Sequence, residues 1–200
     1  MKKLAIAFLG TFSVIFSSCS SSNYQNTSTF SEDNNLNAVV EIPAGTNKKI
    51  EYQEISKEFK TDQRNGEDRI IEFLPYVGNY GFIAGTLTKR AEDGDGDPVD
   101  VLILSEHQKT GKIVSVKPIA LLKLVDNGDL DYKVIAIPSD GKSAVIDINS
   151  YQELQKEYPG IISIVETWFT NYDKVQTQNI VGWGDEKEAL AYVNANIKNK

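Results

Sequence analysis

Asp95-Gly96-Asp97-Pro98-Val99-Asp100-Val101-Leu102-Ile103-Leu104 (residues 95–104, DGDPVDVLIL) decides how the rest of the chain is read. Asp95, Asp97 and Asp100 place three carboxylates within six residues, and Asp93 stands just upstream. Gly94, Gly96 and Pro98 keep the segment out of helix and permit tight turns. From Val99 onward the apolar run predicts a strand that is largely buried. The acids therefore sit at the mouth of a core element. Carboxylates so close together repel one another, and a hard divalent cation with oxygen ligands relieves that repulsion. A lone Asp-Gly-Asp would be a solvated turn, but Asp100 at the strand entrance argues for a metal-binding mouth.

Working outward to the start, Met1-Lys2-Lys3 is a short basic region and Leu4 to Phe16 is an apolar run of thirteen residues. That run is too short to span a bilayer comfortably, so it predicts an export signal and not a membrane helix. With Ser17-Ser18 directly before Cys19, residues 1–18 resemble a bacterial lipoprotein signal. Cys19 would then be lipidated and become the mature N-terminus. It is the only cysteine and has no disulfide partner. The expected location is outside the cytoplasm, on a bacterial membrane at its periplasmic or cell-surface face. Residues 19–37 are rich in Ser, Asn, Thr and Gln and predict a flexible tether. Residues 38–200 are expected to form one domain.

Composition removes several chemistries. The formal charge is −7, and loss of residues 1–18 takes away Lys2 and Lys3 and no acids, which leaves −9. So acidic a chain is not expected to bind nucleic acid. Past Cys19 there is no cysteine, and His107 is the only histidine. Thiol nucleophiles, His/Cys zinc sites and Ser-His-Asp triads are therefore excluded. Carboxylates, lysines, arginines and tyrosines remain.

The element pattern predicts an α+β fold with a closed or strongly curved sheet. Strands are expected over Val39–Ile42, Lys49–Ile55, Arg69–Leu74 and Tyr132–Ile137, and as a pair broken by Pro118 over Ile113–Val125. Ser150 with Glu153 forms a capping box before a short helix ending at Tyr158. Ile161, Ile164, Val165, Trp168, Phe169 and Tyr172 recur at helical spacing. Asp185 and Glu188 cap a last helix carrying Leu190, Val193 and Ile197.

A second acidic constellation, Asp126-x-x-Asp129-x-Asp131-x-Lys133, lies between two strands. Asp131 and Lys133 point to one face, since strand side chains alternate. Lys49 and Glu51 likewise share a face, and Arg69 offers the fixed, delocalised cation that binds phosphate in two-pronged fashion.

With these residues assembled, the chain from Val39 to Trp183 resembles a family I soluble inorganic pyrophosphatase. Asp95-Gly96-Asp97-Pro98-Val99-Asp100-Val101-Leu102 matches that family's core motif throughout. Glu41-Ile42-Pro43, Lys49-x-Glu51, Asn79-Tyr80-Gly81, Asp126-x4-Asp131-x-Lys133 and Trp168-Phe169-x2-Tyr172 stand around it in the family's order. The resemblance implies a five-stranded OB-type β-barrel flanked by helices. It also implies Mg2+-dependent hydrolysis of pyrophosphate, met as a magnesium complex, to two phosphates.

The resemblance assigns roles as well. Asp95, Asp100 and Asp131 would hold the tightest metal, with Asp100 bridging to a second, while Asp126 and Glu41 serve further ones. Asp97 would take the proton from the attacking water. Lys49, Arg69, Tyr80, Lys133 and Tyr172 would bind the phosphates. The family usually has lysine directly after the Tyr172 position, whereas here Asp173 follows. Lys174 is expected to swing back to the phosphate while Asp173 faces water. Assembly into a homo-oligomer is left open. The rival class is a non-catalytic Ca2+- or Mg2+-binding lipoprotein. An EF-hand loop counted from Asp95, however, has Asp100 where glycine is needed.

Overall fold

A computed structural model describes residues 24–92 and 94–198. The signal, Cys19 and Asp93 lie outside the described residues. The run after Pro98 becomes β7 (Asp100–Ile103), and its side chains alternate between two cores. Leu102 joins Leu122, Ile135 and the aromatic end of helix α2 (Pro159–Phe169). Val101 and Ile103 turn the other way, toward Val134, Ala136 and helix α3 (Glu186–Ala195). A strand covered on both faces reads as continuous apolar sequence, and that is why the segment lacks a polar alternation.

Around it the sheet closes. β1 (Leu36–Ile42) pairs β6 (Asn79–Ile83), β6 pairs β7, and β7 runs parallel to β10 (Lys133–Pro138). β10 pairs β8 (Ile113–Asp126), and the first residues of β8 return to β1. These five strands form a closed ring, as the resemblance implied. β8 is one bent strand and not the expected pair. Pro118 sits beside an irregularity in its pairing with β10, so a single 14-residue strand can serve four neighbours. Gly81 is required where β1 and β6 cross, because a Cβ there would lie 1.9 Å from the Val39 carbonyl oxygen.

The remaining elements decorate the ring. β2 (Ile50–Gln53) with β3 (Glu58–Thr61), and β4 (Gln63–Arg64) with β5 (Glu67–Asp68), form two small hairpins. β9 (Asp129–Leu130) and β11 (Gln178–Asp185) both pair β8. Helix α1 (Tyr151–Glu157) begins at Ser150, whose hydroxyl accepts from the Glu153 amide, and Asp185 caps α3 through the Lys187 and Glu188 amides.

Two expectations fail here. Arg69–Leu74 is not a strand: it makes one isolated bridge, Lys48 to Ile70, and then bends, with only Ile71 of its apolar residues buried. The tether expected over 19–37 does not extend to its far end, because Tyr24, Thr29 and Leu36 are buried against the barrel. Tyr24 is buried, donates to the Gly111 carbonyl at 2.7 Å, and meets the rings of Tyr52 and Phe59 edge-on. One aromatic and a strand begun three residues early, at Leu36, outweigh an otherwise polar composition.

Candidate active site

The parallel pairing of β7 with β10 sets Asp100 beside Lys133, each at the head of its strand. Asp131, two residues earlier on the chain, projects to the same face, and the buried Lys133 ammonium donates to both Asp100 and Asp131. Tyr80 on β6 reaches the same carboxylate, donating to Asp100 Oδ2 at 2.6 Å. Just upstream the acidic turn folds on itself. Asp95 Oδ1 accepts from the Asp97 amide at 2.9 Å and from the Thr88 hydroxyl at 2.7 Å. Gly96, at φ +85°, makes that reversal possible.

These groups line one cavity of about 790 Å³. Asp126 enters it from the end of β8, Glu41 from β1, and Lys49 and Glu51 from β2 and the residue before it. Arg69 and Tyr172 complete the wall. Tyr172 is stacked on Trp168 with ring centroids 4.8 Å apart, and its hydroxyl accepts from Gln178 at 2.8 Å. The late helix therefore serves the site through its C-terminal aromatics.

Charge in the cavity is crowded and unevenly compensated. Burial, and then Asp131, keep Asp100 raised to about 6 in spite of Lys133. Burial lifts Glu41 to about 8, although its Oε1 accepts from the Tyr52 amide at 2.7 Å. Asp97 is raised by burial and by Asp95, and Asp126 by burial and by Asp131. Burial opposes the charge on Lys133, but Asp100 and Asp131 outweigh it and hold this ammonium well above the usual lysine range. The cavity thus gathers anions that repel one another in a partly dry place, and a divalent cation would relieve them.

Asp126 Oδ1 is buried with no hydrogen-bond partner. An acceptor orphaned among like charges, in a donor set made entirely of oxygen, fits a hard cation. Among the described residues no three carboxylates converge on one point as ligands. Lys133 stands between Asp100 and Asp131 instead.

The family comparison agrees with this geometry. Residues 38–200 match the family described as inorganic pyrophosphatase. The chain belongs to the inorganic pyrophosphatase family. It is 34% identical over 167 residues to the inorganic pyrophosphatase of Neisseria meningitidis serogroup B, covering 82% of this chain and 87% of that one. It is 33% identical over 155 residues to soluble inorganic pyrophosphatase 6, chloroplastic, of Arabidopsis thaliana, covering 70% of this chain but only 50% of that longer relative. The crystal structure of the Thermus thermophilus inorganic pyrophosphatase superposes with a TM-score of 0.75 at 28% identity, covering 88% of this chain and 97% of that one.

Within this pyrophosphatase domain, Glu41, Lys49, Arg69, Tyr80, Asp95, Asp97, Asp100, Asp126, Asp131, Lys133 and Tyr172 all meet the cavity. Lys174 does not. Its side chain is 72% exposed and faces Glu72 at 3.5 Å. Asp173, expected to face water, is the buried one, with its side chain 5% exposed. Helix α2 ends at Phe169, and the turn that follows swings Asp173 inward onto Arg64 and Arg69. The sequence reading missed Arg64. Asn65-Gly66 was the available signal, since both residues have positive φ and close the β4–β5 hairpin that presents it.

Proposed function

We propose that this chain hydrolyses inorganic pyrophosphate to two phosphates with Mg2+, as an exported protein anchored through lipidated Cys19. The observation that carries the activity is the meeting of Asp97, Asp100, Asp131 and Lys133 in one cavity, at the heads of two parallel strands. Bound Mg2+ would be held by Asp95, Asp100 and Asp131, with Asp126 and Glu41 toward further ions. It supplies charge neutralisation, a more acidic attacking water and a clamp on the phosphoryl oxygens.

The chain's own groups do the rest. Asp97, raised by burial beside Asp95, takes the proton as water oxygen bonds to phosphorus and the bridging P–O bond breaks. Lys133 is fixed by Asp100 and Asp131 and keeps a third N–H oriented before substrate arrives, while Tyr80 donates its one O–H to Asp100 and braces it. Lys49, Arg69 and Tyr172 bind the outgoing phosphate.

Phosphate release from pyrophosphate, with nucleotides in parallel and with Mg2+ or chelator, tests this assignment. Release without Mg2+, or none with it, would overturn it. The anchor rests on the apolar run Leu4–Phe16 ahead of Cys19. Among the described residues no helix is long and apolar enough to cross a membrane. Cys19→Ser should move the protein from the membrane to the soluble fraction with its activity unchanged. Retention on the membrane would refute a lipid anchor.

A further inference from the structure

The cavity wall includes Arg69 and Gln176 but neither Asp62 nor Asp173, the two carboxylates that hold Arg69 from behind. Arg69 donates to Asp62 at 3.1 Å, to Gln176 at 2.8 Å, and to Asp173 Oδ2. Asp173 is also gripped in two-pronged fashion by Arg64, at 3.1 Å and 2.7 Å, and accepts from the Val175 amide at 2.9 Å. Within this cluster Arg64 and Arg69 are matched by Asp62 and Asp173, so the formal charge sums to zero. Arg64 comes from the β4–β5 hairpin and Asp173 from the segment after α2, 109 residues away along the chain.

We propose that Arg64 and Asp173 form a charge-balancing pair behind Arg69 that sets how strongly this arginine holds a phosphate group. The proposal rests on the reading of Arg69 as a phosphate ligand. Asp173 draws on the same guanidinium that must meet the substrate, and an acid that close weakens its pull on a second anion. Arg64 draws Asp173 the other way. Its planar fork satisfies both carboxylate oxygens, so Asp173 stays anchored if Arg69 shifts toward phosphate. Neither group touches the reacting atoms. Both act through Arg69.

The pair gives opposite signs for its two members, which a purely structural role would not. Asp173→Asn keeps the side-chain shape, removes the negative charge and should lower KM about three- to tenfold, with kcat within about twofold. Arg64→Gln leaves Asp173 to Arg69 alone and should raise KM by a similar factor, and Arg64→Lys should recover part of that loss. The double variant should follow Asp173→Asn, since Arg64 has no carboxylate left to hold. Arg69→Gln is measured alongside. If it leaves KM unchanged, the phosphate role of Arg69 fails and takes the proposal with it. If Arg69→Gln raises KM but Asp173→Asn and Arg64→Gln move it in the same direction, or not at all, the balancing pair alone is refuted. Should Asp173→Asn not fold, Arg64→Gln and Arg64→Lys decide, and an unchanged KM in both overturns the proposal.

Discussion

Two ionic clusters meet the same cavity and are balanced differently. At the heads of β7 and β10 a single ammonium, Lys133, serves Asp100 and Asp131, with Asp97 and Asp126 close by. Around Arg69, two guanidiniums, its own and that of Arg64, face two carboxylates. The first cluster keeps Asp100 raised to about 6, whereas the hydrogen bonds from Arg64 hold Asp173 well below the usual carboxylate range. A cluster short of cations stays open to one from solution. A cluster already neutral is complete and can serve as a frame.

The sharpest way to test the acid-rich side is Asp97→Asn. Loss of a general base should reduce kcat about 10²- to 10⁴-fold, with the far-ultraviolet circular dichroism unchanged. A variant within threefold of wild type would remove Asp97 from the base role.

Next in size is the response of stability to the cation. Mg2+ at a hundredfold excess over its Kd should stabilise the fold by about 2.7 kcal/mol, read as a shift in the urea midpoint. Asp100→Asn should lose most of that gain, while Arg64→Gln should keep it. Equal loss in both variants would mean that the clusters are not distinct.

The clusters should also respond to pH in opposite senses. Glu41 and Asp100 rise from ordinary values of 4.5 and 3.8 to about 8 and about 6, chiefly through burial. A raised carboxyl contributes fully below its unfolded value and loses that contribution as pH climbs through its folded one. Without divalent cations, stability should therefore decline between about pH 4 and about pH 8 on this account. Asp173 is lowered from 3.8, so its contribution is present above that value and lost as pH falls below it. Glu41→Gln should flatten the decline toward high pH, and Asp173→Asn the decline at low pH. Urea titrations across this range check both, and parallel curves for wild type and variants would argue against the distinction.

The smallest effect belongs to Lys174→Ala. An exposed pair with Glu72 contributes little, so KM and stability should change by less than about twofold.

Most of the barrel and of the acid-rich cluster was legible in the sequence because their signals are local. Asp95 to Leu104 carries its own turn, acids and buried run, and Asp131 with Lys133 needs only the alternation of a strand. The helix caps at Ser150 and Asp185 are equally local. What was not legible depends on partners far along the chain. The inward turn of Asp173 depends on Arg64, and the packing of Tyr24 depends on Gly111 and on the aromatic rings of the β2–β3 hairpin. β11 was missed because its outer residues, such as Val181, alternate only between partial and full exposure along the edge of β8. Arg69–Leu74 misled for the converse reason, since only Ile71 of its two β-branched residues is buried, and its amide bonds the Asn47 carbonyl outside any ladder.

The closure of β1 onto β8 has a consequence for how the chain acquires its structure. Leu36 to Val39 must find Ile113 to Val116, and β7 must find β10 in parallel, before the ring is complete. Pairings so distant in sequence are reached only after much of the chain's freedom has been lost, and such topologies fold in milliseconds to seconds. During synthesis, β1 has no ring to join until β8 has emerged. In pulse-labelled hydrogen exchange the amides of β1 should then gain protection together with those at the start of β8, later than the capped helices α1 and α3.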